Sequence, residues 1–230
     1  MHPVEIISSK SCPFAQRSRM VLLEKGVDFV LTEIDLENKP DWFLKVSPYS
    51  KVPVIRHGEA VIWESAVINE YLDEVFPEPP LLPRDPVGRA TARVWIDFAN
   101  NRMVPHVYKM MLRQDTEGQA LHRRRLTEAA LFMEHEGLRK LSPGPFWLGD
   151  KPGLVDFTFY PHVQRFAALE HYRGFVIPDE CGRLRDWIEA MSALPSVQAT
   201  RRTTAQLIDG WKKYADNSGQ GVTAQEMREM

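Results

Sequence analysis

An α/β unit followed by an all-helical half is the fold class this sequence predicts, and three observations predict it. Residues 4–76 alternate short β-type runs with runs of helical period. Five prolines then crowd into Pro77–Pro86, a density that no regular element survives. Beyond that stretch, apolar residues recur at helical spacing almost to the C-terminus.

Val4-Glu5-Ile6-Ile7 reads as a short buried strand. Ser8 to Cys12 is polar, and Pro13 opens a helical run through about Lys25. Proline suits the first helical position, where its missing N–H costs nothing, and Gly26 is the expected stop. Val27 to Ile34 is a second strand with partial alternation, and Asp41 to Val46 forms one or two helical turns. Val52-Pro53-Val54-Ile55 and Ala60-Val61-Ile62-Trp63 flank Arg56-His57-Gly58-Glu59 and read as a hairpin. From Ser65 to Phe76, residues Ile68, Tyr71, Leu72, Val75 and Phe76 share one helical face. The order strand-helix-strand-helix-strand-strand-helix implies a small mixed sheet.

The boundaries predicted are 1–77 for the α/β domain, 78–88 for a proline-rich linker and 89–230 for the helical domain. Within the last, helices are expected over Arg89–Leu112, Leu121–Leu141, Val155–Leu169, Cys181–Ser192 and Pro195–Tyr214. The polar, glycine-containing tail from Asp216 to Met230 is expected to be partly mobile.

Composition excludes several functions. A net charge of -2 offers no global field for nucleic acid or an anionic membrane. No apolar run approaches the roughly 18 residues a membrane span needs, and the N-terminus lacks the basic stretch and apolar core of a secretory signal. Two distant cysteines, Cys12 and Cys181, build no disulfide framework, so a reducing, cytoplasmic setting is expected. The histidines show no paired helical spacing, and no metal is expected.

Cys12 carries the chemistry. It immediately precedes Pro13 and so caps the first helix. A helix N-terminus presents unpaired N–H groups and partial positive charge, which can lower a thiol's pKa well below its free value of about 8.5. A dithiol site would place a second cysteine three residues on, where Ala15 stands. Any mixed disulfide on Cys12 must therefore be resolved by an outside thiol, and glutathione is the abundant candidate.

Ser11-Cys12-Pro13-Phe14-Ala15-Gln16-Arg17 and Val21–Val27 resemble the opening of a cysteine-type glutathione transferase, nearest the omega class. The resemblance continues through Asn38–Trp42, Lys51–Val54, Glu64–Ile68, Tyr71–Glu74 and the proline linker to Trp95. It implies a thioredoxin-like glutathione-binding domain before the helical one. It also implies that Cys12 forms the mixed disulfide with glutathione, with Phe14 beside it. Val52, before a cis-Pro53, would pair its backbone with the cysteinyl part of the tripeptide. Glu64 and Ser65 would hold the γ-glutamyl end, and Lys39 would face the glycyl carboxylate. The chemistry is consistent: Ser65 opens a helix whose hydroxyl, N–H groups and dipole suit a carboxylate, and Glu64 offers the ammonium an opposite charge.

The same resemblance places the acceptor pocket on the helices that follow, with Met103, His106, Tyr160, Arg165 and Phe166 as its residues, and implies a homodimer. The implied activity is thiol transfer or reduction of disulfide or dehydroascorbate-like substrates. Lyase or deglutathionylation work on aromatic thioethers and quinone conjugates is one alternative. A non-catalytic scaffold for a macromolecular partner is another. Gly153-Leu154-Val155-Asp156 stands where this fold has a capping box, with Gly153 in the place of the hydroxyl residue.

Overall fold

The apolar run at Val4–Ser8 becomes the central strand β1, and the structure, a computed structural model, describes residues 3–219 around it. Helix α1 (Pro13–Glu24) follows, then β2 (Phe29–Glu33), α2 (Asp41–Val46), β3 (Val54–His57), β4 (Ala60–Trp63) and α3 (Ser65–Val75). The four strands line up as β2-β1-β3-β4. β1 runs parallel to β2, with Ile6 opposite Leu31, and antiparallel to β3, with Ile6 opposite Ile55. Helix α1 stops where expected, because Gly26 takes the left-handed φ of +62° that glycine adopts without a Cβ penalty.

The two faces of β1 build two cores. Val4 and Ile6 face Met20, Val21, Ile55, Ile68 and Leu72 in the main cluster, which continues into the helical half. Ile7 faces the other way, with Ala15, Ile34, Phe43, Val52 and Val54 in a small cluster directly behind Cys12. Strand alternation thus supplies both the domain core and the floor beneath the cysteine.

The linker is tied down. Buried Lys25 reaches Asp73 and donates to the carbonyls of Phe76 and Pro79, each at 2.7 Å. Asp73 in turn accepts from the amides of Leu81 at 2.8 Å and Leu82 at 3.2 Å.

The helical half comprises α4 (Pro86–Phe98), α5 (Val104–Leu112), α6 (Thr116–Phe132), α7 (Arg139–Leu141), α8 (Leu154–Val163), α9 (Phe166–Arg173), α10 (Gly182–Ala193), α11 (Pro195–Gln198) and α12 (Thr204–Ala215). Four of the long helices expected from periodicity are broken. Between α4 and α5 the chain winds as a π-helix over Ala99–Met103, just ahead of Pro105, whose missing N–H interrupts the regular ladder. A second π-helical stretch, Met133–Leu138, joins α6 to α7 and brings Gly137 under two indoles. A Cβ there would lie 2.9 Å from Trp147 and 3.1 Å from Trp95. Gln164 and Arg165 turn the chain between α8 and α9. The expected Pro195–Tyr214 helix ends at Gln198 and restarts at Thr204. That restart is sequence-encoded: Thr203 accepts from the Gln206 amide at 3.2 Å, and the Gln206 side chain accepts from the Thr203 amide at 3.0 Å. The mobility expected of the tail concerns residues that, from 220 on, lie outside the described ones.

Gly153 has a steric reason. A Cβ on it would lie 2.7 Å from the Leu81 carbonyl, which accepts from the Leu154 amide at 2.9 Å. The missing hydroxyl makes room for the linker to dock on the start of α8. Asp156 keeps its half of the cap, accepting from the amides of Gly153 at 2.8 Å and Trp147 at 2.9 Å and from the Trp187 indole at 2.7 Å.

Candidate active site

A cleft of about 860 Å³ separates the two halves, well within the range of small-molecule sites. Cys12, Phe14, Lys39, Val52, Pro53, Glu64 and Ser65 all line it, although they come from four separate places in the chain. Cys12 is the N-cap of α1, with Pro13 at the first helical position. Its thiol makes no cap bond to that helix; it points to the Val52 carbonyl, 3.6 Å away. The Val52–Pro53 peptide is cis, as the resemblance implied. A second cis bond, Glu78–Pro79, lies in the linker and had no signal in the sequence beyond its prolines.

Glu64 stands before α3 with φ +68° and ψ +113°, a conformation side-chain-bearing residues rarely adopt, and its carboxylate makes no cap bond to the helix. Backbone strain of this kind collects at sites where a side chain must be aimed. Ser65, only 4% exposed, accepts from Arg17 Nη1 at 3.3 Å. Arg17 also donates to the Asn100 side chain at 2.8 Å and the Thr158 carbonyl at 2.9 Å, and its guanidinium covers the Phe14 ring at 4.9 Å. Burial pulls Arg17 down to about 9, opposed by Tyr108, Cys12 and Glu64. Arg165 is also buried and is pulled down to about 10 by desolvation. It donates to the Ser11 carbonyl at 2.9 Å and to the Pro161 carbonyl.

The thiol departs from the sequence expectation. Burial pushes the Cys12 thiol up, and this outweighs the opposing pull of the Ala15 amide, Arg165, the Phe14 amide and Arg19. The helix terminus and the cations act in the expected direction; desolvation by the floor cluster and the opposite wall is larger.

The acceptor wall needs correction. Of the five residues expected there, Arg165 alone lines the cleft. Met103 is fully buried in the π-helical stretch, and His106 pairs with His122, their Nδ1 atoms 3.1 Å apart. Tyr160 and Phe166 line a different cavity. Every residue of α8 is buried, so its periodicity carries no information about which face meets the cysteine. The wall opposite Cys12 is Tyr108 with α12. Trp211 stacks on Tyr108 with centroids 5.6 Å apart, and Tyr214 and Lys213 follow on the same helix. Lys213 reaches Glu37 across the cleft mouth at 2.8 Å. The signal for this wall was present: Leu207, Trp211 and Tyr214 share a helical face, hidden by reading one helix where there are two.

Comparison with known proteins now places the chain. A glutathione S-transferase N-terminal domain profile matches residues 11–75, and a glutathione S-transferase C-terminal domain profile matches residues 123–190. The chain belongs to the glutathione S-transferase family. Among its relatives, glutathione S-transferase omega-1 of Mus musculus is 32% identical, covering 84% of this chain and 78% of that one. The chloroplastic glutathione S-transferase DHAR3 of Arabidopsis thaliana is 30% identical over 87% of this chain and 73% of its own. The crystal structure of rice GST1 in complex with glutathione superposes with a TM-score of 0.84 at 29% identity, covering 95% of this chain and 98% of that one. With its cysteine at the start of α1, the protein is an omega-like glutathione transferase. Among the described residues, no helix is long and apolar enough to cross a membrane.

Proposed function

We propose that this transferase works as a glutathione-dependent thiol transferase and reductase through a mixed disulfide on Cys12. The observation that carries the reading is the convergence on one cleft of Cys12, the Val52 backbone before cis-Pro53, strained Glu64 with Ser65, and Lys39. The tripeptide's γ-glutamyl ammonium and carboxylate would meet Glu64 and the Ser65 end of α3. Its cysteinyl backbone would meet Val52, and its glycyl carboxylate Lys39. Residues 1–77 then form the glutathione-binding domain, 78–88 the linker, and 89–230 the domain that carries the acceptor wall.

The thiol first loses its proton to solvent, leaving the Val52 carbonyl. The Cys12 thiolate attacks the glutathionyl sulfur of a mixed disulfide GS–SX, forming Cys12–S–SG and expelling XS⁻. A second glutathione thiolate attacks that glutathionyl sulfur, giving GSSG and restoring Cys12. Reduction of a dehydroascorbate-like substrate, which brings no glutathionyl group of its own, consumes two glutathiones, which together supply two electrons and two protons and leave as GSSG. The omega and DHAR names among the relatives favour this reading over lyase or scaffold roles. A homodimer in the cytoplasm completes the proposal.

Mass spectrometry after incubation with oxidised glutathione tests it. One glutathionyl adduct on Cys12 is expected, absent in Cys12→Ser together with all reductase turnover. Undiminished thiol transfer by Cys12→Ser would overturn the mechanism.

A further inference from the structure

One cation of the catalytic cleft is answered by nothing in the chain. Arg202, half-buried in the turn between α11 and α12, lines the cleft, and its side chain makes no hydrogen bond or ion pair among the described residues. Its backbone alone is engaged, the carbonyl accepting from the Gln164 side chain at 3.2 Å. The other cations of the α12 wall differ: Lys213 meets Glu37 at 2.8 Å, and Lys212 is exposed to solvent. Asp209, which also lines the cleft, forms no ion pair with Arg202.

A glycine gives Arg202 its place. Gly210 sits inside α12, where glycine is the least favoured residue after proline and calls for a packing reason. A Cβ there would lie 2.9 Å from Arg202 Nη1 and 3.4 Å from Nη2. The guanidinium therefore lies against the α12 backbone one residue before Trp211, whose ring stacks on Tyr108 at 5.6 Å. Gly210, Trp211 and Arg165 all line the catalytic cleft, so Arg202 faces that side. Its charge is felt at Arg165, which burial and then Arg202 lower to about 10 against the pull of Tyr108 and Cys12. Two guanidiniums and the Tyr108–Trp211 pair thus share the wall opposite Cys12. An unpaired guanidinium beside stacked rings suits a planar ring bearing a carboxylate, which can accept two parallel N–H bonds.

We infer that the acceptor end of the cleft selects an aromatic thiol partner that carries a carboxylate, its ring against Trp211 and Tyr108 and its carboxylate on Arg202. The inference rests on the thiol-transfer reading and names the class of XS⁻ that is expelled. The bonds are those already given: Cys12–S–SG forms and the S–S bond to the arenethiol sulfur breaks. The arenethiolate takes the bonding pair and leaves with its carboxylate intact. A neutral ring would leave Arg202 unanswered, and an aliphatic carboxylate would leave the rings bare.

Calorimetric titration of Cys12→Ser with two mixed disulfides of glutathione tests this, one with 4-mercaptobenzoate and one with the uncharged 4-mercaptobenzamide. The serine keeps both ligands whole. The carboxylate is expected to bind about tenfold more tightly than the amide, equivalent to about 1.4 kcal/mol. Arg202→Gln in the same background should remove that preference and leave the affinity for the amide, which reports an intact cleft, unchanged. Gly210→Ala, whose Cβ displaces the guanidinium, should cut the preference about threefold although alanine favours the helix. Lys213→Gln, a cation lost at the cleft mouth, should keep it. Equal affinities for the two ligands in Cys12→Ser overturn the inference, as does a preference that survives Arg202→Gln or disappears in Lys213→Gln. Turnover by the wild type separates the underlying reading: 4-mercaptobenzoate should be released with a kcat/KM about tenfold above that of the amide. Release of neither arenethiol defeats thiol transfer, while the binding comparison still decides the carboxylate site.

Discussion

Arg165 donates to the carbonyl of Ser11 at 2.9 Å, so the loop that presents Cys12 is held by a side chain 154 positions away. The guanidinium has two roles at once. It fixes the backbone immediately before the thiol, and its charge opposes the burial that pushes the Cys12 thiol up. A side chain of the helical half therefore holds, and acts electrostatically on, a cysteine that belongs to the α/β half.

Replacing that cation makes a measurable difference. Arg165→Met removes a positive charge beside Cys12, so the thiol is pushed still higher and less of it is thiolate at a given pH. Alkylation by iodoacetamide at pH 8 is expected to slow about three- to tenfold. Arg165→Lys, which keeps the charge and loses the fork to Ser11, should recover most of the rate. Equal rates in wild type and Arg165→Met would show that the guanidinium does not act on the sulfur.

The α12 wall should affect acceptors and not the mixed disulfide. Trp211→Leu removes the ring stacked on Tyr108, and aromatic pairs contribute about 0.5–1.5 kcal/mol beyond their buried area. The KM for an aromatic glutathionyl substrate is expected to rise about three- to tenfold. Glutathionylation of Cys12 by oxidised glutathione should proceed as in wild type. A parallel loss of both would assign Trp211 to the glutathione end of the cleft.

Asp156 joins α8, α10 and the segment before α8. Burial raises its carboxyl to about 6, against the hydrogen bonds from Trp187, Gly153, Trp147 and its own amide that lower it. Asp156→Asn places an amide N–H₂ where an acceptor is needed, at a cost of about 1.5–3 kcal/mol. The pH dependence has a definite sign: with the folded pKa raised, the folded state holds a proton that the unfolded chain has lost. The contribution is complete below about pH 3.8 and fades as pH rises through about 6. Denaturant melts of wild type and variant should therefore differ most near pH 4 and less at pH 7.

His162 behaves oppositely. It is fully buried between Phe14 and Tyr108, neither ring nitrogen has a partner among the described residues, and burial holds its pKa well below 6.5. The unfolded chain takes up a proton there before the folded one does, so stability present above about pH 6.5 is lost as pH falls. His162→Leu, close in volume, removes that uptake. Its stability should fall less than that of wild type between pH 6.5 and 5, and an identical slope would show that His162 does not titrate on unfolding.

The α/β half was legible because its signals are local. Pro13 behind Cys12, Gly26 after the helix, and apolar runs separated by Arg56-His57-Gly58-Glu59 each act within a few residues, and each element formed within a residue or two of its expected place. Glu64 and Ser65 were expected in one site with Cys12 through the resemblance to cysteine-type glutathione transferases. The helical half was read only as helical. Its breaks at Pro105, at Gln164–Arg165 and at Thr203 went unread, and with them the position of Trp211 and Tyr214.

Chain order and short-range chemistry thus specified the sheet, the cap position of the cysteine and the thiol chemistry available to it. Folding in three dimensions decided which residues oppose that cysteine and which way its proton equilibrium moves. The reason is physical. A helix buried on every side, as α8 is, has lost the amphipathic stripe that would orient it. A thiol's pKa is a sum over desolvation and charges, and for Cys12 these come from Ala15 and Phe14 beside it, from Arg19 farther along α1, and from Arg165, which only the fold brings near.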